Sequence, residues 1–387
     1  MAQVKLAIVT THPVQYNAPW FRQLANHGKI EPRVFYTWSQ SQAGPKFDPG
    51  FGKTIDWDIP LLDGYGFEFI ENKSKTPGSR SFNGIDNPGL IPAITAWGAD
   101  AVLVMGWNFK SHLACMRHFK GKIPVLFRGD STLLDEAGTL KRILRRLTLS
   151  FVYRFIDYAL YVGSNNKAYF QWNGVPEYKL INVPHAIDNA RFSDKAAGNS
   201  ASELRRSWGI TQNDFVILFA GKLEPKKNPG YLIQLAGLLP DKHFKFILAG
   251  SGEQEDALKA MAAGDSRIIF PGFLNQTQMP ALYHCADVFV LPSLGPGETW
   301  GLALNEAMAA GRPVIATTKT GGAADLIQKN RNGVVFDGKD TSEVIRFIRQ
   351  IATDRSAWQQ ASVTSSKIVR HFSFESIVTA IEQIFIK

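Results

Sequence analysis

The sequence predicts an α/β protein built from two Rossmann-like, doubly wound domains, and three observations carry that expectation. First, 387 residues exceed what one ordinary hydrophobic core serves and suit two domains of roughly 190 residues each. Second, nearly continuous apolar runs alternate with segments of helical periodicity, the pattern of parallel strands buried on both faces with helices between them. Third, Ser193 to Ala201 is small and polar with no apolar period, as a linker is. The boundary is therefore placed near residue 195, with a first domain over 1–195, a second over 196–370 and a terminal helix over 371–387.

Bulk composition narrows the function classes. Hydrophobic residues at 45% and charged residues at 20% are those of a soluble globular protein. No apolar run reaches the roughly 18 residues that span a bilayer. Met1 to Thr11, with one lysine and a short apolar run, reads as a first strand and not as a signal peptide. Cys115 and Cys285 both lie in apolar helical contexts, which speaks against a disulfide framework and for a reducing cytoplasm. The net charge of +9 admits nucleic acid, an anionic membrane surface or small phosphorylated ligands. No Arg/Lys run is interleaved with aromatics, so nucleic acid is not an expected partner.

In the first half, Val4 to Thr10, Pro32 to Trp38, Phe67 to Ile70, Ala101 to Met105, Ile123 to Phe127 and Tyr158 to Val162 read as strands. Pro19 to Asn26, Leu90 to Trp97 and Phe109 to Phe119 read as helices between them. The stretch from Ser39 to Ile59 is long, aromatic and rich in Gly, Pro and Asp, and is expected to be a functional flap rather than core. It contains the only D-x-D, Asp56-Trp57-Asp58, but no supporting pattern surrounds it, and no metal site is expected.

Ligands of doubly wound sheets bind at the carboxyl ends of the strands. The first strand ends in Thr10-Thr11-His12-Pro13, where His12 and the two hydroxyls are candidate ligand contacts; a plain turn is the alternative. Val125-Leu126-Phe127 runs into Arg128-Gly129-Asp130, placing Arg128 and Asp130 as candidate ligand contacts; a structural Arg–Asp pair is the alternative. Lys141, Arg142, Arg145, Arg146 and Arg154 follow, with Leu140, Ile143, Leu144 and Leu147 on another helical face. That helix is either a domain helix with a solvated basic face or a peripheral contact with anionic lipid at the inner membrane face.

The second half is organised around Leu294 to Thr318, LGPGETWGLALNEAMAAGRPVIATT. A Gly/Pro-rich loop ends in Glu298-Thr299-Trp300-Gly301, a helix follows, and Gly311 and Pro313 stop it before the strand Val314-Ile315-Ala316. The free amides near Gly301 and Leu302 can hold an anion. Glu306 lies eight residues beyond Glu298, or roughly 12 Å at 1.5 Å per residue. That span covers a ribose, a diphosphate and a sugar. Upstream, Phe215 to Ala220 is a buried strand running into Gly221-Lys222-Leu223 and Lys226-Lys227-Asn228-Pro229. Phe246 to Gly252 and Ile268 to Leu274 are further strand–turn units.

The complete string, loop, E-x-W-G, helix and E-A-M-A-A-G-x-P-V-I-A, resembles the signature of family 4 glycosyltransferases, and the likeness is strong over about Phe215 to Asp337. The resemblance implies a GT-B fold, with two Rossmann-like domains facing across a cleft and a C-terminal helix crossing back onto the first. It implies a retaining, metal-independent transfer of a sugar from a nucleoside-diphosphate sugar to a hydroxyl acceptor (a glycan, a lipid-linked saccharide or a small molecule) in polysaccharide or glycoconjugate synthesis. No cofactor is implied. Lys222, where arginine is usual, and Lys227 would grip the diphosphate. Glu298 would hold the sugar and Glu306 the ribose, with Thr299, Trp300, Gly301 and Leu302 completing the donor side. The backbone at Gly272 and Phe273 would meet the base. Many relatives carry a Gly-rich diphosphate loop where His12 stands, so His12 with the Thr10 and Thr11 hydroxyls would take that donor role. They carry a histidine where Arg128 stands, so Arg128 would meet phosphate or sugar and Asp130 the acceptor hydroxyl. Two other readings fit the same resemblance: a nucleotide-sugar epimerase, and a non-catalytic nucleotide-sugar-binding subunit.

Overall fold

The computed structural model describes residues 3–38, 46–48, 50–135 and 138–386. Of the expected flap, residues 39–45 and 49 therefore lie outside the described residues. The chain divides into two units, one formed by Met1–Gly44, Pro60–Pro184 and Phe374–Lys387, the other by Pro45–Ile59 and His185–Ser373.

Two features of this division depart from the sequence reading. The boundary falls at Pro184/His185, because the small polar stretch read as a linker is instead the start of a helix, Ala197–Ser207. Its Ala201 is buried, and Arg205 donates to the Cys285 carbonyl at 2.8 Å, which fixes the helix to the second unit. The second departure is Pro45–Ile59, which precedes much of the first unit in sequence yet belongs to the second.

The first unit carries a seven-stranded sheet of parallel pairs. Its strands are β1 (Val4–Thr10), β2 (Ile30–Tyr36), β5 (Gly66–Phe69), β6 (Ala101–Met105), β7 (Val125–Arg128), β8 (Tyr158–Tyr161) and β9 (Leu180–Asn182), in the order β5-β2-β1-β6-β7-β8-β9. The intervening β3 (Lys46–Asp48) and β4 (Lys53–Ile55) form a separate antiparallel hairpin counted with the second unit. β1 and β6 pair in parallel, with Leu6 opposite Ala101 and Val9 opposite Val104. Strands buried on both faces must be apolar on both, which is why these segments read as continuous runs rather than alternating ones. The terminal helix Phe374–Phe385 packs on the Ala18–His27 helix of the same unit. There, buried Glu382 takes Lys29 at 2.9 Å and lies 3.4 Å from His27.

The Thr139–Val152 helix keeps Lys141, Arg145 and Arg146 exposed, as the solvated-basic-face reading expects, and exposes an apolar stripe as well. Leu149 and Val152 anchor it, while Leu140, Ile143, Leu144, Leu147 and Phe151 are exposed. The guanidinium groups of Arg142 and Arg146 lie over the Trp172 ring, 4.1 and 5.0 Å from its centroid, and Arg145 lies 5.8 Å from that of Tyr169. Cation–π attraction holds these guanidinium groups beside the rings, yet Arg145 and Arg146 stay exposed and the apolar stripe also reaches solvent. Among the described residues, no helix is long and apolar enough to cross a membrane.

The second unit has a six-stranded parallel sheet, β10 (Phe215–Ala220), β11 (Phe244–Ala249), β12 (Ile268–Gly272), β13 (Val288–Leu291), β14 (Val314–Thr317) and β15 (Gly333–Phe336), ordered β12-β11-β10-β13-β14-β15. Phe219, Phe246, Leu248, Tyr231 and Ile348 fill one side of it. The strand order reverses between β10 and β13. That switch point leaves a crevice at the strands' carboxyl ends, and the loops leaving β10 and β13 border it.

Candidate active site

The loop after β10 carries Lys222 and, through a single 3-10 turn at Pro225–Lys227, Lys227. The loop after β13 carries Ser293 and Glu298. The Leu294 amide donates to the Lys226 carbonyl at 2.8 Å, tying the two loops together. Glu298 is 6% exposed, and one carboxylate oxygen receives the Lys227 ammonium and the Ser293 hydroxyl, the latter at 3.0 Å. A carboxylate this buried needs such partners to remain charged. The pair puts an anion and a cation side by side at the start of the Leu302–Ala309 helix.

Gly301 is the turn into that helix. Its φ of 92° is left-handed, and an added Cβ would lie 2.8 Å from Leu291 and Thr320 side-chain atoms. Only glycine allows the loop to enter the helix this closely. The loop is pinned from behind, where Gly321 donates to the Glu298 carbonyl at 2.9 Å and Gly322 to that of Trp300 at 2.8 Å. Further along the helix, Glu306 is 2% exposed and accepts the hydroxyl of buried Tyr283 at 2.7 Å. Thus Lys222, Lys227, Glu298, Thr299, Gly301 and Leu302 all border one end of this sheet. Glu306 follows within the helix, and Gly272 and Phe273 stand at the end of β12.

Two sequence expectations need correction. The Trp300 side chain is buried rather than offered to a ligand. Its indole donates to Asn305 at 2.8 Å, and its ring packs 5.6 Å from those of His185 and Phe372. Arg128 is also buried, and its guanidinium donates to the carbonyls of Val183 at 2.6 Å and Pro184 at 3.0 Å. It braces the chain where the first unit ends instead of facing a phosphate or sugar. Burial lowers its ionisation to about 10, with the nearby Asp130 charge opposing the shift.

In the first unit, His12 sits at the end of β1, 2.9 Å from the Thr11 hydroxyl and edge-on to Trp38 at 5.9 Å. Behind it lies a buried polar knot that the sequence did not announce. His112 bridges the Thr37 hydroxyl at 2.9 Å and the Gly106 carbonyl at 2.8 Å, and burial pushes its ionisation down to about 4.

The second unit also contains groups that sequence reasoning missed. Thr320 is 1% exposed beside Gly301, and its hydroxyl has no hydrogen-bond partner among the described residues. Asp48 meets Lys222, and Phe51 meets Phe273. Asp58, part of the D-x-D, accepts the Thr277 amide ahead of the Met279–Cys285 helix.

Two doubly wound units, one with clustered lysines and carboxylates at its ligand edge, define a protein of the GT-B class. Comparison with known proteins shows what the second unit is similar to. The sequence model of the glycosyl transferases group 1 matches residues 200–365. Over that segment the chain is similar to the group 1 glycosyltransferases. It is 30% identical over 183 residues to an uncharacterized glycosyltransferase of Methanocaldococcus jannaschii, covering 46% of each chain. It is 28% identical over 222 residues to the Escherichia coli UDP-Gal:alpha-D-GlcNAc-diphosphoundecaprenol alpha-1,3-galactosyltransferase, covering 55% of each. The matched region thus spans about half the length of these curated relatives. The crystal structure of Anabaena Alr3699/HepE in complex with UDP and glucose shares the fold with a TM-score of 0.72, over 99% of each chain at 18% identity.

Proposed function

We propose that the protein is a retaining glycosyltransferase that moves a sugar from a nucleoside-diphosphate sugar to a hydroxyl acceptor in glycoconjugate synthesis. The observation that carries this reading is the Lys227–Glu298 pair at the mouth of the Leu302–Ala309 helix, with Glu306 buried further along the same helix. Departure of a nucleoside diphosphate builds negative charge on its oxygens, and preorganised cations and amides lower that barrier. Lys222, Lys227 and the amides at Gly301 and Leu302 are assigned to the diphosphate, with no cofactor required. Glu298 is assigned to sugar hydroxyls and Glu306 to the ribose. Asp130 is assigned to the acceptor, and His12 to the donor from the first unit. The E. coli relative's name specifies UDP-galactose and a diphosphoundecaprenol acceptor, which supports a nucleotide-sugar donor and makes a lipid-linked acceptor the first to try.

The test is incubation with a panel of UDP-, GDP- and ADP-sugars, with and without short glycans and polyprenyl-diphosphate sugars, following nucleotide release and product mass. Acceptor-dependent release from one donor class, with the anomeric configuration kept, is expected. Donor turnover to an isomeric nucleotide sugar without acceptor would replace this reading with an epimerase.

We propose further that the outward stripe of the Thr139–Val152 helix docks on anionic lipid, in keeping with its exposed leucines and neighbouring basic groups. Replacing Leu144 and Leu147 with Gln should then reduce sedimentation with vesicles containing about one-third phosphatidylglycerol severalfold, at roughly 0.8 kcal/mol per CH2 withdrawn. Equal sedimentation of variant and parent would remove the proposal.

A further inference from the structure

The sequence places residues 46–58 after β2, in the first unit's part of the chain, yet the described residues of this segment lie on the second unit. They cross the carboxyl ends of three of its strands. After β10, the Asp48 carboxylate holds the Lys222 ammonium through both oxygens, at 2.8 and 3.1 Å. After β11, the Ser251 hydroxyl donates to the Phe51 carbonyl at 3.0 Å. After β12, the Phe51 ring stands edge-on to Phe273 at 5.1 Å, and Lys53 lies 5.2 Å from the Phe273 centroid. Asn275 donates to the Asp56 carbonyl at 2.6 Å, and Asp58 accepts the Thr277 amide and hydroxyl.

The carboxylate is also fixed from its own side. The amides of Gly50 and Phe51 donate to it at 2.8 and 3.2 Å. Burial would raise the Asp48 carboxyl, but the Lys222 hydrogen bond and charge, with these two amides, outweigh it and hold the group below its ordinary range. Gly50 leaves no room to spare, since a Cβ there would lie 2.5 Å from the Lys222 ammonium. Among its described residues, the segment's only regular structure is the isolated hairpin of β3 and β4, three residues in each strand. Such a hairpin is marginal by itself, so these contacts are what keep it in place and their loss is what would release it.

We propose that this segment is a built-in occupant of the donor site, its Asp48 carboxylate holding Lys222 in place of a nucleoside diphosphate and its Phe51 lying against Phe273 in place of the base. The inference rests on the donor-site reading of the second unit. One ammonium cannot serve the Asp48 carboxylate and a diphosphate oxygen at full strength together, so the nucleotide binds as the segment leaves. An occupied site weakens apparent affinity by the fraction of molecules in which it is free.

The experiment uses the full chain with UDP and with GDP as probes. Hydrogen exchange of peptides covering 46–58 is measured with and without each nucleotide, and affinities are measured for the parent, Asp48→Asn and Asp58→Ala. Whichever nucleotide binds should accelerate exchange in this segment. Both substitutions should tighten its binding, by about three- to tenfold. Asp58 does not touch Lys222, so its variant separates release of the segment from any direct effect on the lysine. Slower exchange on nucleotide binding, or weaker binding by Asp48→Asn with Asp58→Ala unchanged, would make the segment a closing cover or a simple brace and overturns the proposal. If the parent binds nucleotide and neither exchange nor affinity responds, this inference alone fails. If the parent binds neither nucleotide, the donor-site reading fails and this inference with it.

Discussion

Glu298→Gln is expected to lower kcat by about 10²–10³-fold, the scale seen when one group aimed at developing transition-state charge is removed. The nucleoside diphosphate lacks the sugar, so its affinity should be kept. The Lys227–Glu298 pair sharpens the expectation. Glutamine removes the negative charge beside Lys227, leaving that ammonium more available to a diphosphate. Affinity for UDP or GDP should therefore stay level or rise, even as turnover collapses. Steady-state rates with product-inhibition constants measure both effects in one series. Retained kcat would remove Glu298 from the chemistry.

Glu306→Gln should fail in the opposite way. A ribose is held alike in the ground and transition states, so losing its partner chiefly raises the donor KM and leaves kcat near its original value. A hydrogen bond to a charged group contributes about 1.5–3 kcal/mol, or roughly ten- to a hundredfold in affinity. Glu306 is 2% exposed and already accepts the Tyr283 hydroxyl. Tyr283→Phe is therefore the companion variant, because it alters the carboxylate's surroundings without removing its charge. It should weaken nucleotide binding less than Glu306→Gln does. A larger loss in Tyr283→Phe would make the buried pair a packing device rather than a ribose contact.

Much of this site was legible because its residues are consecutive. Glu298, Gly301 and Glu306 lie on one loop and one helix, so a single sequence window carries both their spacing and the turn that orients them. The parallel strands were legible for a related reason. Ala101–Met105 and Phe215–Ala220 are buried along nearly their whole length and so are apolar throughout. The short strands β9 and β15 lack so clear a run and were missed. Asp48 was hidden by distance, since its partner Lys222 lies 174 residues away and nothing local marks an aspartate in a loop as a lysine's partner. Arg128 misled because a strand end is where ligands bind, yet the same position also faces the chain leaving the unit at Val183 and Pro184. The Thr139–Val152 helix shows another limit. Periodicity separated its leucines from its arginines, but it did not show that both sets reach solvent or that the rings of Tyr169 and Trp172 lie beside the arginines.

In the function proposed, one helix and its leading loop divide the donor between two carboxylates, with the nucleotide at Glu306 and the sugar at Glu298. Calorimetric titration of the parent, Glu298→Gln and Glu306→Gln with the nucleoside diphosphate that the parent binds tests it most directly. A loss of roughly ten- to a hundredfold is expected for Glu306→Gln and none for Glu298→Gln. Equal losses in the two variants, or a loss confined to Glu298→Gln, would contradict it.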